Sequence, residues 1–398
     1  MSTYKVTCDI AVIGAGPSGI SAAVAAAVAD PSVSVVLCEK EGRVGGMSTS
    51  GMLNVWCGAC ESDFFTEIKA AANIKDPQPG RRSGVYSPHR LERFYMSELE
   101  RAGVKLLLHS QAYSAVMKEN GKDIDRLLLT CSGHTVELCA KLFIDSTGNG
   151  DAAYLAGCEY EIDSEPQPMT PQFIVGGVDD SKAVYPTFGT HPELEEKMRR
   201  YVDSGIIPPP GGHVILIEGI NRGTAHVNMS NASVSGCDPT DPFVLTRAEK
   251  TARAQFDGIV RFLQECVPGY ENCYIIAVPD NIGVRESRRF IGKTILTEYD
   301  IADGITCRDI VADNVRAGLG GHAASGRGAS GAPLKANPFS IPYGCCVPAK
   351  GGNIRFNGRC ISVTHAALSA VRLMPVCICI GERLGRIAAA EVRESDQM

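Results

Sequence analysis

This 398-residue chain lacks the unbroken run of about 20 apolar residues that a membrane-spanning helix needs. Its Ala- and Val-rich segment after Gly19 is interrupted by Asp30 and Pro31. Nothing near the start reads as a secretory leader. The first apolar run, residues 10–13, is too short and leads directly into a glycine-rich turn. An excess of basic charge is missing too. With 39 Lys and Arg against 45 Asp and Glu, the formal net charge is −6. That gives no general attraction to nucleic acid or to an anionic membrane. The 16 cysteines lack the short, even spacing of a disulfide framework, and many (Cys8, Cys38, Cys139, Cys377, Cys379) sit in apolar surroundings. They read as buried reduced thiols. What is left is an ordinary globular composition, 44% hydrophobic and 21% charged, long enough for two domains with cores. A cytoplasmic location is the expectation.

Residues 6–51 organise the rest. An apolar run at 10–13 reads as a buried strand, Gly14-Ala15-Gly16-Pro17-Ser18-Gly19 follows at once, and a helical segment comes next. Gly14 allows the tight turn, Gly16 lets backbone N–H groups approach a pyrophosphate, and Gly19 lets helix and strand pack closely. The helix N-terminus then faces the phosphates with unpaired N–H groups and the positive end of its dipole. A second strand at 33–37 ends in Cys38-Glu39. A carboxylate there accepts hydrogen bonds from a ribose diol, so a nucleotide with an unphosphorylated ribose is expected.

After Glu39 the text runs Lys40-Glu41-Gly42-Arg43-Val44-Gly45-Gly46-Met47-Ser48. An acid at the second strand end followed by a Gly-Gly pair resembles FAD enzymes of the glutathione-reductase-like superfamily, in the branch that holds fumarate reductases and amine oxidases. In that branch the Gly-Gly segment passes along the ribityl chain and under the flavin, an extension NAD dehydrogenases do not usually carry. The resemblance therefore implies FAD rather than NAD. It also implies cofactor contacts from Gly14 to Gly19 and from Glu39, Lys40, Arg43, Gly45, Gly46, Met47 and Ser48.

Further along, Ser87 and Pro88 start a helix that Gly103 ends, and residues 104–109 read as a strand. Three alternating strands follow at 112–118, 124–130 and 135–144, with turns at Asn120-Gly121 and Ser132-Gly133. Such a β-meander is the crossover of flavoprotein dinucleotide domains, where the backbone near Ala112 would edge the adenine. The run Asp145-Ser146-Thr147-Gly148-Asn149-Gly150-Asp151 resembles that of the FAD-dependent oxidoreductase family, and places Thr147 and Gly148 beside the cofactor. Near the C-terminus, a strand, the Gly358-Arg359 turn, a loop and a helix opened by Pro375 resemble the closing segment of the same family. There the Gly-Arg turn meets the ribityl-phosphate end, and the last helix points its N-terminus at the pyrimidine edge of the flavin. Arg372 would offset charge at that edge or lie on the surface.

The expected architecture is α/β: a Rossmann-like FAD-binding domain with a three-layer ββα arrangement and a β-meander, built from 1–160 and 340–398. An α+β substrate or cap domain is inserted at 161–339. Within it, 247–266 has helical periodicity, 275–278 reads as a strand, and 294–297 as another. Between them stands Arg285-Glu286-Ser287-Arg288-Arg289. Three guanidinium groups there clamp an anion or tie the two domains together, and two of the three are expected to be structural. Gly320-Gly321-His322 sits where the family often has Asp-Ile-His, without the acid. Residues 77–84 read as a Pro/Gly/Arg-rich loop, and the Gly/Ala/Ser run at 323–332 as a lid or a linker.

The function expected is an FAD-dependent oxidoreductase moving a hydride between a small-molecule substrate and flavin N5. His365, in the loop before the last helix, is the first catalytic candidate, with His322, Arg285 and Arg288 from the cap side. No metal is called for. Two other readings stay open. One is a flavin-bearing electron-transfer or scaffold subunit acting on a protein partner. The other is a dithiol–flavin reductase using Cys57 and Cys60, a Cys-x-x-Cys pair that suits thiol cycling. The expected partners are a small molecule and either a second copy of the chain or a redox protein, with neither nucleic acid nor membrane.

Overall fold

The computed structural model describes residues 2–73, 84–323, 329–330 and 335–397. Of the loop expected at 77–84 only Gly84 is among them, and most of the 323–332 run lies outside the described residues. Residues 329–330 pair with Gly321 and His322 as a two-stranded ribbon.

The first strand, β1 (Thr3–Ile13), is buried from Ile10 onward. The helix that follows, α1 (Pro17–Ala29), is buried from Ser18 to Ala27. A helix apolar on every side needs a partner on every side. It packs against β1, the next strand β2 (Val35–Cys38), and the terminal helix Met374–Gln397. β2 lies parallel to β1. Two helices, α2 (Asp63–Ala72) and α3 (Pro88–Arg101), lead to β3 (Lys105–Leu107), which is parallel to β2. Ser62 and Ser87 cap these helices by accepting the N–H of Phe65 and Arg90. The meander follows as β4 (Gln111–Met117), β5 (Ile124–Cys131) and β6 (His134–Asp145).

Strand order is β3-β2-β1-β6-β5-β4. The 12-residue β6 divides its outer edge between two neighbours. Its first half pairs antiparallel with β5, and its last residues, Phe143 to Asp145, pair parallel with Ile354–Phe356. That second pairing brings the end of the chain back to the end of β1 where Gly14 turns. The two termini of the text meet here.

Two main hydrophobic cores are present. One gathers residues from Cys8 to Ala153 and from Phe290 to Val392. The other gathers residues from Phe173 to Cys273. The second is an α+β layer in which strands Phe173–Gly176, Leu216–Glu218, Ala225–Val227 and Tyr274–Ala277 form an antiparallel sheet. Helices Pro192–Asp203, Pro242–Arg253 and Phe256–Cys266 accompany it. Within 161–339, then, Phe290, Leu296, Ile301, Val311 and Phe339 belong to the first core.

Three local expectations change. The helix expected over 247–266 is two helices broken at Ala254 and Gln255. The fully buried Gln255 side chain is drawn aside to accept the Asn231 N–H at 2.8 Å and donate to its carbonyl at 2.7 Å. Residues 294–297 form no strand, and Leu296 makes only an isolated bridge to Val363. His365 lies in no loop but opens a short helix, His365–Val371, capped by Thr364.

Candidate active site

Gly14 takes φ +100°, and a Cβ there would meet the Ser146 carbonyl oxygen at 2.6 Å. A Cβ on Gly19 would lie 1.9 Å from the Gly14 carbonyl oxygen. Gly16 differs: a Cβ there would meet nothing within 4 Å. The loop is thus closed on two sides and open on the third, where a pyrophosphate would approach. Gly45 donates its N–H to the Ala15 carbonyl at 2.7 Å, and a Cβ on Gly46 would sit 3.4 Å from Gly16 Cα. The Gly-Gly segment is therefore laid along the glycine loop. Glu39, nearly buried, accepts the N–H of Ala15 at 2.7 Å and of Glu41 at 3.0 Å. A carboxylate has about four acceptor positions, so capacity for a ribose remains.

The far side of this cradle comes from the end of the chain. A Cβ on Gly358 would lie 2.7 Å from Ser18 Oγ, and one on Gly381 only 2.1 Å from the Ser18 carbonyl oxygen. Asn357, fully buried, donates to the Ser18 carbonyl at 3.0 Å and to Ser146 Oγ at 2.9 Å, while its Oδ1 has no partner. Asp145 accepts the N–H groups of Thr147 at 3.0 Å and Ala153 at 2.7 Å, and holds the turn between them. Burial pushes its carboxyl up to about 6. Arg359 donates to Asn149 Oδ1 at 2.6 Å and Ser287 Oγ at 2.8 Å, and a Cβ on Gly148 would approach its guanidinium at 3.0 Å. Together these groups fit FAD: an open glycine loop, an acid with spare acceptors, and a second wall with an orphaned buried oxygen.

The segment after Gly46 is held from the other side by the second layer. Gln172 donates to the Met52 carbonyl at 2.9 Å, Asn54 donates to the Glu218 carbonyl at 2.9 Å, and His226 Nδ1 lies 2.9 Å from the Met52 carbonyl oxygen. Burial pulls the His226 imidazole down to about 4, so it is neutral. A Cβ on Gly283 would meet Met47 Cε at 2.9 Å and the Thr170 carbonyl oxygen at 2.7 Å. Met47 therefore lies at the seam between the layers.

The three arginines of the 285–289 run part ways. Arg288 ties the layers together, reaching Asp151 at 3.1 Å and Thr240 Oγ1 at 2.8 Å and stacking 4.1 Å over Tyr154. Arg289 donates to the Val363 carbonyl at 2.9 Å and lies 3.5 Å from Glu286. Arg285 turns inward, to the Pro168 carbonyl and Thr170 Oγ1, both at 2.6 Å. Near it stand Arg372, which donates to Gln167 Oε1 at 3.0 Å, and His322, whose N–H reaches the same oxygen at 3.3 Å. Burial and then Arg372 pull the Arg285 guanidinium down to about 9. Burial pulls Arg372 to about 10. Arg285, then burial, Arg372 and His213 drive His322 to about 2, so it is neutral at working pH.

His365 stands apart from that group. Its Nδ1 is 2.8 Å from Glu286 Oε1 and 3.6 Å from Asp163, and the Glu286 contact raises its affinity for a proton. Glu286 also accepts the Gln167 N–H at 3.0 Å, which links the two clusters. Lys40 lies 4.0 Å from Glu41, and Arg43 forks onto Glu92 at 2.7 and 3.1 Å, so both charges face other side chains. Ser48 Oγ donates to the Gly45 carbonyl at 2.6 Å. Ala112 is on β4, opposite Leu129. Pro17 and Pro375 each occupy the first turn of a helix. Cys57 is exposed, whereas Cys60 donates to the Pro375 carbonyl at 3.0 Å and contacts Cys379. That contact, with burial, pushes the Cys60 thiol far up. Gln167, Gln172, His226 and Asn357 are not singled out in the text, because each acts through partners distant in sequence.

A similar fold occurs in a geranylgeranyl bacteriochlorophyll reductase-like protein from Thermoplasma acidophilum, with TM-score 0.53 and 14% identity over 99% of this chain and 79% of that one. BexE, described for its part in oxidation during BE-7585A biosynthesis, gives TM-score 0.51 and 12% identity over 97% of this chain. This chain spans 63% of BexE, less than two thirds of its length. No curated protein matches. The family described as FAD dependent oxidoreductase matches residues 9–398. The chain therefore belongs to the FAD-dependent oxidoreductases, enzymes that use FAD as cofactor.

Proposed function

We propose that the enzyme moves a hydride between a small-molecule substrate and flavin N5, and that its second layer is a cap over the reacting ring. The observation that carries this is the seam at Met47, where Gly283, bridged to Thr170, meets the side chain of the residue that follows the Gly-Gly pair. The glycine extension after Glu39 supports the glutathione-reductase-like branch. FAD supplies a two-electron acceptor and donor at its isoalloxazine ring.

The protein's part is position and electrostatics. Gly16, the open end of α1 and Asn357 would take the phosphates and ribityl chain, and Glu39 the ribose. The N-terminus of the terminal helix, with Arg372 just before it, would stabilise negative charge on the reduced ring. Gln172 and His226 hold the Met52 carbonyl, Asn54 ties the same segment to Glu218, and the cap keeps water from the reacting face. We further propose that residues 161–289 form the cap proper, and that 290–339 return with the first core. His365, paired with Glu286, is a positioning residue for the Gln167 backbone.

Flavin released from denatured protein, followed by anaerobic reduction with a panel of small metabolites, tests the reading. The expected result is a yellow protein reduced by small molecules. Reduction only by a co-purified protein would favour an electron-transfer subunit instead. For the dithiol reading, the Cys60–Cys379 contact argues against a reactive Cys57–Cys60 pair. The accessible thiol count is expected to be the same in oxidised and dithionite-reduced enzyme, and a change of two thiols would restore that reading. Replacing Glu39→Ala is expected to weaken flavin retention about tenfold, the loss of about 1.4 kcal/mol. Unchanged flavin content would remove the ribose assignment.

A further inference from the structure

Arg285, Arg372 and Gln167 share an arrangement that the cofactor site does not use up. Among the described residues neither guanidinium forms an ion pair with a carboxylate. Arg285 is met by a carbonyl and a hydroxyl, and Arg372 by the Gln167 amide oxygen. The nearest acid, Glu286, is taken up by His365, Arg289 and the Gln167 N–H. Two donors are left over. Arg372 Nε and Gln167 Nε2 are both buried without a partner, and Gln167 as a whole is 1% exposed. Both arginines are deep enough to be strongly desolvated, yet each keeps some accessible surface. That combination describes groups that solvent or a small ligand reaches rather than groups sealed in a core.

Two like charges brought together with spare donors are unfavourable on their own. A single oxyanion resolves the arrangement, because one planar carboxylate accepts from a guanidinium fork and an amide together. The Arg285 segment adjoins Met47 through Gly283, and Arg372 immediately precedes the terminal helix. The cluster therefore lies where the cap, the Gly-Gly segment and that helix converge.

We infer that Arg285, Arg372 and Gln167 form the binding site for a carboxylate carried by the substrate, so that the enzyme acts on small organic acids. Neutral His322 stands beside them. The inference rests on the hydride-transfer reading for its meaning, but its test is a binding test. The flavin-loaded enzyme is titrated with acetate and succinate while the flavin absorbance band is followed. Succinamide serves as the uncharged control and inorganic phosphate as the competing oxyanion.

Saturable spectral change with the carboxylates, none with succinamide, and weaker binding of phosphate is the expected pattern. Arg285→Gln is expected to weaken carboxylate binding about tenfold or more, with flavin content per chain as in the wild type. Arg372→Gln is expected to weaken it by a similar factor, read per flavin bound because Arg372 also borders the ring. Arg285→Lys, which keeps charge and bulk but loses the fork, should weaken it less than Arg285→Gln. Flavin-loaded protein that ignores carboxylates, binds succinamide equally, or prefers phosphate overturns the inference and leaves the cofactor reading standing. Protein without flavin overturns the cofactor reading first. The wild-type comparison of acid with amide needs no variant, so a variant that fails to fold does not block the decision.

Discussion

Gly16 and Gly19 are three positions apart and respond oppositely to an added methyl group. Gly16 has φ −72° and ψ 179°, backbone that alanine adopts freely, and open space where a Cβ would go. Gly16→Ala is therefore expected to cost no more than about 1 kcal/mol, the loss of a favourable N-cap, while flavin retention falls about tenfold or more. Gly19→Ala drives a carbon into the Gly14 backbone and is expected to cost about 1–3 kcal/mol or more. Urea unfolding with flavin release measures both, and loss of stability without loss of flavin at Gly16 would contradict the cradle. His226 gives a pH test. Its native imidazole titrates near 4, against about 6.5 unfolded. As pH falls below the unfolded value, the unfolded chain takes up a proton that the native chain refuses. Stability is then lost at about 1.4 kcal/mol per pH unit until the native value is reached. Replacing His226→Gln removes this dependence. The stability difference between wild type and variant is expected to shrink by about 2 kcal/mol between about pH 7 and about pH 5. The glycines and Glu39 were legible in the text because turn chemistry is local. Which of Arg285, Arg288 and Arg289 faces inward was not, since Asp151, Val363 and Thr170 make that choice from remote positions.

Among the elements, α1 and the terminal helix approach each other closely through glycine. A Cβ on Gly381 would lie 2.1 Å from the Ser18 carbonyl oxygen, and one on Gly385 would lie 2.2 Å from that of Ala22. Backbone cannot yield as a side-chain tip does, so either alanine substitution must push the helices apart. Each is expected to cost about 1–3 kcal/mol and to lower flavin retention as well, because Ser18 belongs to the phosphate end of α1. Gly318, with no neighbour within 4 Å of its Cβ position, is the control: Gly318→Ala should leave both quantities unchanged. The strands β1, β2 and β4 to β6 follow the sequence pattern closely, since alternation and Asn-Gly or Ser-Gly turns act over a few residues. The break at Gln255 was hidden because it depends on a buried amide bonding Asn231, 24 residues away. The strand expected at 294–297 is absent for a similar reason. An apolar, β-branched stretch there finds one bridge partner in Val363 rather than a ladder.

At the scale of the whole molecule, a seam of cations joins the two layers beside a small apolar cluster of Val55, Val85 and Ile217. Arg288 bridges Asp151 on one side and Thr240 on the other, Arg359 bridges Asn149 and Ser287, and Arg289 reaches Val363. Charge-assisted hydrogen bonds of this kind contribute about 1.5–3 kcal/mol each where water is largely excluded. Directional bonds also fix the cap's orientation, which apolar contact alone does less well. Replacing Arg288→Met keeps much of the packing on Tyr154 but removes the bonds to Asp151 and Thr240. The expected outcome is faster amide exchange at 150–161 and 287–290, stronger quenching of flavin fluorescence by iodide, and nearly unchanged exchange in β1 and β2. The exposed Arg101–Glu98 pair within α3 supplies the contrast. Arg101→Ala should change stability by no more than about 1 kcal/mol and leave iodide quenching as it was. If both variants behaved alike, the seam would not be what orients the cap. Apolar contacts such as Val55 and Val85 against Ile217 would then have to bear that role.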